Sequence, residues 1–286
     1  MTSPSFFAVL AFAAVGLGHA GAAVLFSDPF TDGDLVAGAD NSGISWYDRS
    51  ANTEISIIAD TTGINNGNAL QMAANSASAI TNRGIVGVLS QSLTLAAPGD
   101  YLTLSFSFRF ISTNGSTSPG NANGGFTFGF YNSNGTTVTA NNANTSDNDF
   151  GFRGEFGSGA NPAVAIFKET NSGAGGLGTG ADGGAVTVVN PVNVQVNDFL
   201  PHTGSITLTY NSPTDLAIAL MYDGAAVGSG TSSVPFLTFD ELVFSQGGSN
   251  GFNLDNVVVE SNIPEPGTAA LMGLCAVLGL AGHRRR

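Results

Sequence analysis

The sequence is poor in the residues that most enzymes and metal sites use. Its 286 residues include one cysteine, three histidines and eight lysines and arginines, against 21 aspartates and glutamates. The one cysteine, Cys275, lies in an uncharged stretch near the C-terminus, so the chain can form no internal disulfide. The formal net charge of −13 argues against nucleic acid as a partner, because the two would repel each other.

Charge is also missing from residues 267–282, which are mostly apolar and are followed by Arg284, Arg285 and Arg286. As a helix rising ~1.5 Å per residue, this stretch would span ~24 Å. The hydrocarbon core is ~30 Å thick, but a locally thinned bilayer and snorkelling arginines allow so short a helix to cross. We therefore predict a transmembrane helix with a cytoplasmic C-terminus. A buried core helix is the alternative, although it would not explain the arginines.

The order of these features carries a resemblance. Pro264, Glu265 and Pro266, then the apolar stretch, then the three arginines resemble the PEP-CTERM sorting tail that exosortase, a membrane enzyme of Gram-negative bacteria, recognises. The resemblance implies cleavage near the Pro-Glu-Pro and transfer to the cell surface or extracellular matrix. It also implies two partners, exosortase and, during sorting, the inner membrane.

The N-terminus predicts export as well. Residues 1–22 contain an apolar run over 6–18 and a small-residue cleavage site at 20–22, as in a signal peptide, although no lysine or arginine precedes the run. The predicted organisation is therefore a signal helix in 1–22, one domain over 23–262, and a sorting tail over 263–286.

Alternation of apolar and polar residues dominates the domain. YLTLSFSFRFI, at 101–111, directs Leu102, Phe106 and their alternates one way and hydroxyl side chains the other, as in a half-buried antiparallel strand. Similar runs recur at 125–131, 149–156, 163–168, 204–210, 215–222, 236–244 and 252–260, separated by loops rich in Gly and Asn. About a dozen short strands without a repeat period favour an all-β, two-sheet antiparallel jelly-roll sandwich.

Both ends of this domain resemble concanavalin A-like and laminin-G-like jelly rolls. The matching patches are LFSDPFTDGDL at 25–35, with Trp46 and Tyr47 following, and NLDNVVVE at 253–260. The resemblance implies that the first and last strands are neighbours and that a structural calcium binds there. Asp28 and Asp255 would supply carboxylate oxygens, which calcium prefers. Ordinary solvated aspartates in turns are the alternative.

Few residues could carry catalysis. His202 is the one histidine between the two targeting segments, and it serves either as a catalytic base or simply as a loop residue. The G-x-G-x-x-G at Gly173, Gly175 and Gly178 leads into a strand-like run and not into a helix, which argues against a dinucleotide site. Glu155, beside Arg153, is a candidate glycosidase carboxylate or half of a surface ion pair.

Sugar binding requires fewer specialised residues than catalysis does. The aromatic rings of Trp46, Tyr47 and Tyr131 could stack on sugar rings, or they could belong to the core. We expect a non-enzymatic surface or matrix protein that binds exopolysaccharide. The alternatives are a glycan-cleaving enzyme of the same fold and a purely structural matrix component.

Overall fold

The computed structural model describes residues 21–36, 42–49, 53–60, 64, 67–74, 84–112, 125–141, 148–157, 164–170, 184–194, 196, 198–246 and 251–263. All regular elements in these ranges are strands, namely β1 Ala23–Asp28, β2 Ile44–Asp48, β3 Thr53–Asp60, β4 Gly67–Ala74, β5 Gly84–Thr94, β6 Tyr101–Ile111, β7 Phe126–Asn132, β8 Phe150–Phe156, β9 Ala165–Thr170, β10 Ala185–Val186, β11 His202–Ser212, β12 Asp215–Tyr222, β13 Ala225–Ser232, β14 Thr238–Gln246 and β15 Gly251–Ser261.

The strands form two antiparallel sheets. The 8-stranded sheet has the order β13-β12-β11-β6-β15-β4-β3, with β1 also paired to β15, and the 7-stranded sheet has the order β10-β9-β8-β7-β14-β5-β2. The predicted all-β, two-sheet antiparallel sandwich is confirmed. The first and last strands are neighbours, as the resemblance implied, with Asp28 opposite Val257.

The core lies between the sheets and follows from the alternation. In β6, Leu102, Leu104, Phe106, Phe108 and Phe110 are buried, while their polar neighbours are only partly covered. Phenylalanine rings from both sheets interlock there, as where Phe106 meets Phe244 edge to face at 5.0 Å. Because one face of each strand is fixed in the core, the opposite face displays its side chains in a regular array.

The predicted signal helix and the predicted transmembrane helix lie outside the described residues. Within the ranges that the structure describes, no helix has the length and apolar character needed to cross a bilayer.

Candidate functional site

An open hollow of 380 Å³ lies on the outer face of the 8-stranded sheet. Its floor carries four hydroxyl side chains, Ser105 and Ser107 from β6 and Thr203 and Ser205 from β11. The register places Ser105 opposite Ser205 and Ser107 opposite Thr203, so the four form a small square. Among the described residues, none forms a side-chain hydrogen bond with these hydroxyls, which leaves them able to bond a ligand.

Apolar side chains flank the hydroxyls. Met221 of β12, 41% exposed, lies opposite Ser205 on one side, and Val258 of β15 lies opposite Ser105 on the other. No charged side chain lines this hollow within the described residues. We call this surface, with Asn256 and Gly224 at its ends, the hydroxyl groove.

A bulge in the last strand brings Asn256 to the groove. The pairing of β15 with β6 shifts register between Asp255 and Val258, and Asn256 adopts a positive φ of 50°. Its backbone N–H donates to Asp255 Oδ1 at 2.6 Å, which holds this left-handed conformation. Bulges of this kind redirect a side chain, and here the bulge places Asn256 in the lining of the hollow.

The opposite end of the groove is the turn between β12 and β13. Asp223 and Gly224 both have positive φ, 46° and 77°, as in a type I′ hairpin turn. Asp223 accepts hydrogen bonds from the Thr203 backbone N–H at 2.8 Å and contacts His202 Nδ1 at 2.8 Å. This end of the groove is therefore fixed in place by two strands.

His202 connects this turn to the preceding loop. Its Nε2 lies 2.9 Å from Asp198 Oδ1, and the Tyr222 hydroxyl lies 2.6 Å from its Nδ1. Partial burial acts to raise the pKa of Asp198, but hydrogen bonds from His202 and the Leu200 N–H, together with the His202 charge, hold it below its usual value. Burial first, and then the charges of Asp223 and Asp198, raise the pKa of Tyr222. Both ring nitrogens are engaged, which argues against the catalytic-base alternative, but His202 is not the loop residue of the other alternative, because it begins β11 and lies opposite Phe108.

Two of the three predicted sugar-stacking aromatics belong to the interior. Trp46 is 1% exposed, packs against Phe30 and Phe244, and donates its Nε1–H to Asp28 Oδ2 at 2.7 Å. Tyr131 is 2% exposed and packs with Val86 and Val243 on the 7-stranded sheet. Neither ring presents a face to solvent, which favours the alternative that both belong to the core over the hypothesis that they stack on sugars.

Tyr47 is half-buried on β2, opposite Val86, on the 7-stranded sheet. It therefore lies on the other sheet from the hydroxyl groove. None of the three predicted aromatics contributes to the groove.

The predicted calcium ligands lie on neighbouring strands, and both are buried. Asp28 Oδ1 accepts the Phe30 N–H at 2.9 Å and its Oδ2 accepts the Trp46 indole N–H, while Asp255 Oδ1 accepts the Asn256 N–H. In the described part of the chain, no three His, Cys, Asp or Glu side chains are grouped to hold a metal ion. These aspartates stabilise the local backbone and the core tryptophan, and calcium binding stays a prediction.

Buried acidic side chains also lie on the 7-stranded sheet, on its outer face, which is turned away from the core between the sheets. Glu241 of β14 is fully buried, and Arg49 pairs with the buried Asp149 at 3.2 Å nearby. Burial, followed by the charges of Asp149 and Asp240, raises the pKa of Glu241 to about 8, against the opposing effects of Arg49 and the Val138 backbone N–H. Glu241 therefore holds its proton to a higher pH than an exposed glutamate does, and its side chain has no exposed surface.

Glu155, the predicted glycosidase candidate, lies far from Glu241. Glu241 pairs with Tyr131, which pairs with Gly151, and Glu155 is four residues further along β8. Two strand spacings of ~4.8 Å and four residues of ~3.4 Å put the two positions ~17 Å apart. A glycosidase pair requires ~5–10 Å.

Arg153 is buried, so Arg153 and Glu155 are not the surface pair that the sequence allowed. Arg153 is 2% exposed, and its guanidinium lies 4.9 Å from the Phe167 ring centre. Burial raises the pKa of Glu155, partly offset by the charge of Arg153 and a hydrogen bond from the Gly125 backbone.

Comparison with known proteins identifies the tail. Residues 262–286 match the PEP-CTERM protein-sorting motif, which confirms that prediction. Pro264, Glu265, Pro266, Arg284, Arg285 and Arg286 lie within the match and outside the described residues. No curated protein matches the chain.

Solved structures with a similar fold share little sequence with this chain. The potassium-bound carbohydrate recognition domain of Emp46p is 12% identical with a TM-score of 0.44, covering 82% of this chain and 95% of that one. A carbohydrate esterase from Shiga toxin-encoding bacteriophage phi24B is 14% identical with a TM-score of 0.44, covering 85% and 100%. Arcelin-5, a lectin-like defence protein from Phaseolus vulgaris, is 13% identical with a TM-score of 0.42, covering 84% and 98%.

Proposed function

We propose that this chain is an exported protein, sorted by exosortase to the cell surface or extracellular matrix, whose sandwich binds neutral polysaccharide without cleaving it. The hydroxyl groove is the observation that carries the binding part of this proposal. The match at 262–286 supports the sorting part.

The chemistry of the groove suits a polyol. Sugar hydroxyls both donate and accept hydrogen bonds, and so do serine, threonine and asparagine side chains. Four such hydroxyls and the Asn256 amide surround the hollow, while Met221 and Val258 provide apolar contact for the C–H faces of a sugar ring. The lining is uncharged and the chain is strongly acidic, so anionic polymers are disfavoured.

The arrangement of carboxylates supports binding without cleavage. The groove has no carboxylate among its lining residues in the described structure. The separation of Glu155 from Glu241 is too large for them to act on one glycosidic bond. A protein that only holds polysaccharide at the surface requires neither a carboxylate in its groove nor a pair of carboxylates set for hydrolysis.

Retention on polysaccharides tests the binding proposal. The purified full-length chain, kept in mild detergent because of its apolar tail, is incubated with immobilised neutral glucan, mannan and anionic alginate. We expect retention on a neutral polymer, little retention on alginate, and no new reducing ends. New reducing ends would overturn the non-enzymatic proposal, and no retention on any neutral polymer would favour the purely structural alternative.

A matched pair of variants locates the binding. Ser205→Glu places a charge and added bulk in the groove, and we expect it to abolish retention. Ser56→Glu makes the same change at an exposed serine of β3 on the same sheet, outside the groove, and should leave retention unchanged. Equal retention by both variants would exclude the groove as the binding site.

Sorting is tested separately in the producing cell. We propose that the chain is cut near Pro264, Glu265 and Pro266 after residues 267–282 have inserted, with the three terminal arginines in the cytoplasm. Mass spectrometry of the surface protein should show that residues 267–286 are missing. A Pro264→Ala, Glu265→Ala, Pro266→Ala variant should keep them and stay in the membrane, and surface protein with an intact tail would contradict the proposal.

A further inference from the structure

A second hollow, of 240 Å³, lies on the same outer face of the 8-stranded sheet. It is formed by three neighbouring strands, β11, β12 and β13, and by the exposed Val189, which bridges to Ser229 of β13. Its lining includes Thr207, Thr209, Ala217, Ala219, Ser229 and Thr231. Within the described residues, its lining is uncharged, as in the hydroxyl groove.

The two hollows are joined along β11. Thr203 and Ser205 line the first hollow, and Thr207 and Thr209 continue the same row of outward side chains into the second. At the start of the second hollow, the Thr207 hydroxyl forms a hydrogen bond with the Thr103 hydroxyl of β6 at 2.9 Å. The row is therefore continuous, with hydroxyls spaced ~6.8 Å along the strand and ~4.8 Å between strands.

From these observations, and resting on the proposed function, we infer that both hollows form one diagonal track that binds a linear neutral polysaccharide over several sugar units. The track crosses from β15 to β13, four strand spacings or ~19 Å, while moving from Ser205 to Thr209, ~14 Å along the strand. The resulting length of ~23 Å is more than one or two sugars can cover.

The second hollow is open because its central side chains are small. Ala217 and Ala219 lie opposite Thr209 and Thr207, and their methyl groups let a ligand approach the sheet closely. Acids stand at the margin of the track, with Glu260 opposite Thr103 and Asp223 beside Gly224. These charges would repel a polyanion, so the track favours neutral chains.

A length series of neutral oligosaccharides tests the inference. The series, from two sugar units to about ten, is prepared from whichever neutral polymer is retained. We expect affinity for the full-length chain to rise at least tenfold across the series and then to level off once the track is filled. An affinity that is independent of length would overturn the inference while leaving the proposed function intact, and absence of binding at every length would overturn both.

Variants in the second hollow separate it from the first. Ala219→Glu fills its centre, so we expect it to reduce affinity for the long oligosaccharides to that for the short ones, with short-chain affinity changed less than twofold. Thr231→Glu, on β13 in the same hollow, is a second variant to use if the first does not fold. Ser56→Glu is the control. Unchanged long-chain affinity in a folded variant of this hollow would contradict a continuous track.

Discussion

The buried Glu241 predicts a specific dependence of stability on pH. Its pKa rises from an ordinary value of 4.5 to about 8 in the folded chain, chiefly through burial. Between these two pH values the folded chain holds a proton that the unfolded chain has released, so the free energy of unfolding falls as pH rises. From pH 5 to pH 8 this single group removes ~3–4 kcal/mol of stability.

The assay compares wild type with Glu241→Gln, which keeps the shape of the side chain but cannot ionise. Urea unfolding, followed by fluorescence of the single, buried Trp46, gives the free energy of unfolding at each pH. We expect wild type to lose ~3–4 kcal/mol more than Glu241→Gln between pH 5 and 8. Glu54→Gln, at an exposed position on β3, should follow wild type. If Glu241→Gln loses as much stability as wild type, the buried proton is not on Glu241.

Three further predictions concern the buried Trp46, the turn glycine Gly224 and the two aspartates that were predicted to bind calcium. Trp46→Phe removes the indole N–H that Asp28 accepts, so we expect a loss of ~1–3 kcal/mol in a urea titration followed by circular dichroism. Gly224→Val forces a branched residue to a φ of 77° at the end of the groove, so Tm should fall by an amount equivalent to ~1–2 kcal/mol. Gly224→Ala is the comparison, and a smaller fall in Tm for Gly224→Val than for Gly224→Ala would contradict the strain argument. The predicted calcium site at Asp28 and Asp255 implies that calcium raises the Tm of the chelator-treated chain and that Asp255→Asn abolishes the rise, whereas an unchanged Tm would count against the site.

Strands could be predicted from the sequence where one face of the strand is buried and the other is exposed to solvent. β6 has the bounds that alternation in 101–111 predicted, because its outward hydroxyls and inward phenylalanines differ sharply. Alternation does not mark β13, AAVGSGTS, which is small and glycine-rich and depends on pairing with β12 through the Asp223–Gly224 turn. Such a strand depends on pairing with its neighbour and on the turn that joins them, so a pattern of hydrophobicity alone does not predict it.

The site was harder to predict than the fold. Trp46 and Tyr131 were chosen by residue type, which cannot distinguish an exposed ring from a buried one. The hydroxyls of β6 and β11 were visible in the sequence as the polar half of two strands, but only the register of Ser105 with Ser205 shows that they meet. Asn256 lines the groove because of a bulge, a feature that depends on the pairing of β15 with β6.

Binding of a neutral polysaccharide in the hydroxyl groove can be tested by comparing the dissociation constants of two variants. Isothermal titration would compare Ser205→Glu with Ser56→Glu, using the neutral polymer that wild type retains. We expect at least a tenfold weaker affinity for Ser205→Glu, with Ser56→Glu within twofold of wild type. Equal dissociation constants for the two folded variants would contradict it.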